Sequence, residues 1–203
     1  MGDIKRIRKK YTTPMHPWNK ERIDAERGYR RKFGLTNKKE LWKAESILKG
    51  FKDQIKKFPS MSLEQAEKQK TQLRARLKKY GFVDETTDLG EVLGYDTEII
   101  LERRLQTIVH KKGLARSVKQ ARQFITHEHI LVDGKIINAP GYIVTASEES
   151  NITFKPTSVL ANDAHAERKQ PEGTQEERKK KSTQTQEEEP ELVKLSEEDK
   201  DLE

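Results

Sequence analysis

Seven cations, Arg104, Lys111, Lys112, Arg116, Lys119, Arg122 and Lys135, fall within one short stretch of this chain, with Gln120, Gln123, His127 and His129 set between them. The chemistry open to such a set is anion binding. A guanidinium can engage two phosphate oxygens at once, and amide or imidazole donors can reach sugar hydroxyls or base edges. The bland alternative is a solvated basic face. His127 and His129, two apart on an extended segment, share a face and invite a metal reading. Two histidines leave a metal short of ligands, and His110 is the only further imidazole nearby in sequence, so the reading is no metal and no cofactor. Phosphate-loop, nucleophile-elbow and zinc-protease signatures are absent, so no catalysis is expected.

These side chains need a frame. Leu101, Leu105, Ile108 and Val109 form the apolar stripe of a helix that Thr97 should cap and Gly113 should stop. Ser117 opens the next helix, with Gln120 in the third position of a capping box. Its N-terminal N–H groups add anion affinity beside Arg116. Val118, Ala121 and Ile125 should be its buried face, with Lys119, Arg122 and Gln123 turned outward. Asp133-Gly134 between Ile130–Val132 and Lys135–Ile137 predicts a type I′ hairpin. Pro140-Gly141 then turns the chain into Tyr142–Val144, and Ile152–Phe154 reads as a last strand.

Upstream, residues 1–20 read as a basic arm, with Lys5, Arg6, Arg8, Lys9 and Lys10 followed by helix-blocking Pro14 and Pro17. A helix is expected over Asn19–Arg31, carrying Arg22, Arg30 and Arg31 and ended by Gly34. A longer one should run from Asn37 to about Phe58, its cap completed by Glu40, with Leu41, Ala44, Leu48, Phe51, Ile55 and Phe58 buried. Pro59 stops it. Ser62 should cap a third helix, with Ala66, Leu73, Leu77 and Tyr80 facing the second as an antiparallel hairpin. Trp42, beside Leu41, reads as core. Asp88–Leu93 reads as a single helical turn.

Composition bounds what this frame can be. Hydrophobic residues make up 32% of the 203, where globular chains run at about half, so part of the chain stays unburied or is completed by a partner. Residues 155–203 hold 9 Lys/Arg against 14 Asp/Glu, leaving 32 against 20 in residues 1–154. A cationic body with an acidic, Gln- and Ser-rich tail predicts a nucleic-acid partner for the body and disorder for the tail. There is no cysteine, hence no disulfide or thiolate metal site. No apolar run reaches the roughly 20 residues needed to span a bilayer, and the charged Gly2–Lys10 is not the start of a secretory signal.

The segments GLARS (113–117), ARQFITH-x-HILVDGK (121–135) and NAPGYIV (138–144) resemble the RNA-binding domain of the small-subunit ribosomal protein four family. That domain also occurs in pseudouridine synthases, tyrosyl-tRNA synthetases and a ribosome-rescue protein. Residues 1–96 leave no room for such a catalytic domain. Pro14, Pro17-Trp18, Arg22, Glu26, Phe33-Gly34-Leu35, Asn37-Lys38, Glu40 and Trp42 resemble the archaeal and eukaryotic form. The resemblance implies an α+β fold: a basic arm and helical region over 1–96, an RNA-binding domain over 97–154, and a disordered charged tail over 155–203. It implies a structural, cytoplasmic constituent of the small ribosomal subunit that binds ribosomal RNA, nucleates assembly and supports translational accuracy. The expected partners are that RNA and neighbouring ribosomal proteins, with no membrane and no small-molecule substrate. The alternative is an assembly factor of the same family acting on precursor RNA, whose N-terminus is not expected to carry the Pro-Trp and Gly-Leu-x-Asn blocks. RNA contact carries over to Arg104, Arg116, Ser117, Gln120, Arg122, Gln123, His127 and Lys135. Charge and position add Lys111, Lys119, His129, Lys38, Arg22, Arg30, Arg31 and the cations of the arm. Glu128 departs from the family, which usually has glycine between the two histidines. Some bacterial members hold a cysteine-ligated zinc, which this chain cannot.

Overall fold

Asn19 stands in an extended conformation and accepts the N–H of Arg22 on its side chain (3.4 Å), and from there helix α1 runs over Lys20–Lys32. This is the cap that a short polar residue supplies to an orphan helical donor. The computed structural model describes residues 9–84, 87–162, 165 and 167. Lys5, Arg6 and Arg8, and the disorder expected of most of the tail, lie outside the described residues.

Helix α2 spans Lys38–Lys57 and continues as a 3-10 turn over Phe58–Ser60. Helix α3 follows over Leu63–Lys79. The two helices are rich in lysine, so their stability comes from one face. Leu41, Ala44, Leu48, Phe51, Ile55 and Phe58 are all buried, together with Leu73 and Leu77 of α3 and with Ile100 and Leu101 further along the chain. Each such large side chain contributes about 1.5–3 kcal/mol when fully buried, which outweighs the weak propensity terms of the exposed face. The expected side-chain caps at Asn37 and Ser62 are absent: neither makes a capping hydrogen bond. The turn expected over Asp88–Leu93 is a 3-10 turn at Glu91–Gly94.

The single helix expected through Leu101 and Leu105 is two. Helix α4 covers Thr97–Glu102 and α5 covers Leu105–Lys111, with Asp96 rather than Thr97 at the cap position of α4. Arg104 between them is extended (φ −72°, ψ 141°) and forms a β-bridge with Ile143. The N–H of Leu105 donates to Tyr142 O (2.8 Å) and that of Val144 to Arg103 O (3.0 Å). The Thr107 hydroxyl closes the break by donating to Leu101 O at 2.8 Å. A returning strand segment thus replaces the helical bonds, which the apolar spacing alone could not disclose. The break also separates two cores. The second is built on Leu105, Ile108, Val109, Ala121, Phe124, Ile125, Ile130 and Val132.

Helix α6 (Val118–Thr126) buries Ala121, Phe124 and Ile125, while Val118 is only half-buried. The hairpin forms as expected. Strands β1 (Ile130–Val132) and β2 (Lys135–Ile136) pair Val132 with Lys135, and Asp133 (φ 51°) and Gly134 (φ 74°) both take the left-handed conformation of a type I′ turn. Strand β3 (Ile152–Phe154) joins β1 on the other side, giving an antiparallel sheet of order β2-β1-β3. Helix α7 (Ala146–Glu149), which the sequence reading omitted, is held by a full capping box between Thr145 and Glu148. The first residues of the segment read as tail are packed: Lys155 N–H donates to His129 O (2.8 Å), and Leu160 is buried in the second core.

Candidate nucleic-acid interface

The best-formed anion-facing element is the start of α6. Ser117 is its cap, with the hydroxyl accepting the Gln120 N–H at 3.2 Å. The reciprocal half of the box is displaced by one residue, because Gln120 Oε1 accepts from the N–H of Arg116 (2.8 Å). Gln120 Nε2 donates to Glu167 O at 3.3 Å, so its oxygen and one of its two amide N–H donors are engaged in positioning. Arg116, Lys119, Gln123 and His127 are exposed. The last three recur every four residues, which aligns them along one helix face. Lys135, on the hairpin, is exposed as well.

Arg104 and Arg122 are placed differently. Both reach Glu40 of α2: Arg104 Nη2 lies 2.9 Å from Oε2, and Arg122 Nη2 and Nη1 lie 2.8 and 3.2 Å from Oε1 and Oε2. Arg104 is buried, with 7% of its side chain exposed, and Arg122 retains 26%. The expectation that Arg122 simply turns outward is corrected, as is the reading of Glu40 as a helix cap. Burial pushes the Glu40 carboxyl up, but the hydrogen bonds and charges of Arg122 and Arg104 outweigh it and hold the group below the ordinary carboxylate value. Gln106 completes the join. Its amide donates to Gly34 O (3.3 Å) and Val118 O (2.8 Å), and its oxygen accepts from Arg122 at 3.4 Å. A Cβ on Gly34, whose φ is +57°, would stand 3.1 Å from Gln106 Nε2 and 3.2 Å from a Val118 methyl. Glycine is what lets the turn after α1 approach this closely.

The N-terminal candidates sort the same way. Arg22 pairs with Glu26 and donates to His16 O (3.2 Å) and Pro17 O (2.8 Å), tying the arm to α1. Lys38 Nζ lies 3.0 Å from Glu26 Oε2, and Trp42 Nε1 donates to Oε1 at 3.1 Å. Trp42 is therefore half-buried, with its indole N–H satisfied, rather than full core, and Tyr11 packs on it at 6.0 Å between ring centroids. Burial raises the Glu26 carboxyl, but the bonds from Trp42 and Lys38 and the charges of Lys38 and Arg22 bring it below the ordinary value. Arg30 donates to Leu35 O (3.3 Å), and Lys111 pairs with Glu102 (3.0 Å). Lys9, Lys10 and Arg31 are exposed. Trp18 is 91% exposed, unlike Trp42.

His127 and His129 diverge. His127 ends α6 on the surface, whereas the His129 ring meets Ser158 Oγ at 2.9 Å and the edge of Phe124. Glu128 between them has φ +62°, a conformation that disfavours any residue but glycine. Glycine, which the resemblance leads one to expect here, would take this conformation without strain. No cluster of three or more potential metal ligands occurs among the described residues.

Sequence reasoning missed Glu40, Glu26 and Gln106 as organisers. Gln106 left a trace of its own, a polar residue set with Thr107 inside the apolar stripe of Leu105, Ile108 and Val109.

A short helical pair opening on cations, packed on a hairpin and closed by a returning strand, defines an RNA-binding type of module, and residues 103–150 match the family model of the S4 domain. The similarity extends well beyond it. A protein of Methanococcus aeolicus named small ribosomal subunit protein uS4 is 50% identical over 169 residues, which is 83% of this chain and 96% of that one. Proteins of the same name from two strains of Methanococcus maripaludis are 50% and 48% identical over 169 residues, each covering 83% of this chain and 95% of the relative. The chain belongs to the uS4 family of small-subunit ribosomal proteins. That family is structural and non-enzymatic, and no helix among the described residues is long and apolar enough to cross a membrane.

Proposed function

We propose that this chain is a constituent of the small subunit of cytoplasmic ribosomes that binds its ribosomal RNA directly, through the exposed face of α6 and the cations around it. The observation that carries the reading is the sorting of charges. Arg104 and Arg122 are tied down by Glu40, while Arg116, Lys119 and Lys135 stand exposed with Gln123 and His127 beside them. A face whose own carboxylates were meant to neutralise it would pair these cations as well. Lys9, Lys10 and Arg31 extend the set onto the arm and α1. Lys5, Arg6 and Arg8 belong to it by sequence. Holding crowded phosphates at a helical junction is also what early assembly of the subunit and fidelity of decoding require, and those finer roles are proposed on the same basis.

Titration of the protein into a small-subunit rRNA junction fragment at graded salt tests this. Neutralising six to eight phosphates gives a slope of log K against log salt of about −4 to −7. A slope shallower than about −2 would show the cationic face to be merely solvated. Sedimentation of tagged chain with mature subunits, rather than only with precursors, separates a resident protein from an assembly factor.

A further inference from the structure

Between α2 and residues 139–143 lies a groove of about 470 Å³, within the range of about 300–1,000 Å³ usual for small-ligand sites. Its polar end is the Glu40 cluster with Lys43, and its walls include Ile47, Pro140, Tyr142 and Ile143. Three features single it out. Arg104 and Arg122 meet one carboxylate, among the described residues no second carboxylate pairs with either of them, and Lys43 lines the same groove. Arg104, although largely buried, has only its Nη2 hydrogen-bonded among the described residues, which leaves the rest of its donor fork unclaimed there. The apolar walls are held in place: the Tyr142 hydroxyl donates to Glu148 at 2.9 Å, and Ile47 remains 37% exposed although it is a large aliphatic residue.

A site with surplus positive charge at one end and apolar, partly aromatic walls at the other fits a ligand with an anionic group and a flat apolar face. A nucleotide carries both on one residue. Guanidinium groups bind phosphate oxygens in a fork, and unstacked bases rest on aromatic and apolar side chains. An acidic peptide would have to lay main-chain N–H and C=O groups against Ile47 and Ile143 without partners, at a desolvation cost. We infer that this groove takes one unstacked nucleotide of the bound RNA, its phosphate against Lys43 and the unclaimed donors of Arg104 and its base against Ile47 and Tyr142. The inference rests on the proposal that the chain binds rRNA. It adds a base-stacking contact to the contacts made by the exposed face of α6.

The test compares Ile47→Asp and Lys43→Gln with Gln69→Asp, an exposed control on α3 that makes the same change of one charge away from the groove. Affinity for the rRNA junction fragment is measured at fixed salt, with a thermal melt of each variant. The expected result is a loss of roughly tenfold for Ile47→Asp relative to Gln69→Asp, since a carboxylate would replace the apolar wall beneath the base and stand near its phosphate. Lys43→Gln should also bind more weakly than the control. In a fragment carrying 4-thiouridine at its unpaired positions, photocrosslinks should map to the peptide containing Tyr142 and be lost in Ile47→Asp. Equal binding by all three variants, with the wild-type salt slope preserved, would leave rRNA binding standing and remove the groove from it. A photoreactive residue at position 47 that captures a neighbouring protein in assembled subunits, rather than RNA, would overturn the inference in favour of a peptide occupant. Absence of any rRNA binding by the wild type would instead defeat the underlying proposal, and the inference with it.

Discussion

Replacing Glu40 with glutamine removes one negative charge and leaves two guanidinium groups facing a neutral amide. Glu40 is 18% exposed, Arg104 7% and Arg122 26%, so the cluster is part-buried rather than dry. Removing one partner from a fully buried pair costs about 3–5 kcal/mol, whereas an exposed pair contributes about 0–1. Partial solvent access and the amide oxygen that glutamine keeps place Glu40→Gln between these limits, at about 2 kcal/mol. For a chain of this size that corresponds to a fall in Tm of roughly 4–8 °C. The pH dependence supplies an internal control. The folded-state pKa of Glu40 is depressed, so its contribution is present above the unfolded-state value and lost as pH falls through the folded one. Urea unfolding followed by tryptophan fluorescence should therefore show a clear gap between wild type and variant at pH 7. The gap should close in acid, once the native carboxyl is protonated. A gap under about 0.5 kcal/mol at pH 7, or one that persists unchanged in acid, would refute the view that this carboxylate joins the two parts of the molecule.

Arg116→Ala should weaken rRNA-fragment binding by about 1–3 kcal/mol with an unchanged Tm, because its side chain is exposed. Arg122→Ala should lower Tm as well, because its guanidinium is bonded to Glu40 at both nitrogens. Equal melting temperatures for these two variants would mean that the sorting of charges is wrong. Glu128→Gly should relieve a left-handed backbone worth roughly 1 kcal/mol, partly offset by about 0.4–1 kcal/mol from the freer unfolded chain. It should also tighten RNA binding at low salt by deleting a negative charge beside His127. Unchanged affinity at low salt would show that Glu128 lies off the RNA face.

What could be read from the sequence was what is decided locally. Asp133-Gly134 sets its own turn, Ser117 caps the residues next to it, and the buried stripe of α2 follows from its spacing. What could not be read was decided at a distance. Glu40 looked like a cap for its own helix, but its partners lie 64 and 82 residues further on. The break at Arg104 depends on Tyr142 and Ile143 arriving alongside, and nothing in the neighbouring sequence announces them. Among the cations, sequence gave type and density but not which were already paired. That information resides in the acidic residues of other elements.

The break between α4 and α5 has a consequence for synthesis. Ile100 and Leu101, both almost wholly buried, complete the first core, yet they follow every other residue of it in the chain. A nascent polypeptide that has emerged only to residue 96 has the three long helices but lacks the side chains that fill the space between them. The last turn of α4 therefore acts as a keystone, and the next residues to emerge, Leu105 onward, begin the second core. Closing one core and starting the other are separated by only the three residues from Glu102 to Arg104. Before that point, the lysine-rich helices should remain open to whatever RNA or chaperone surface is at hand.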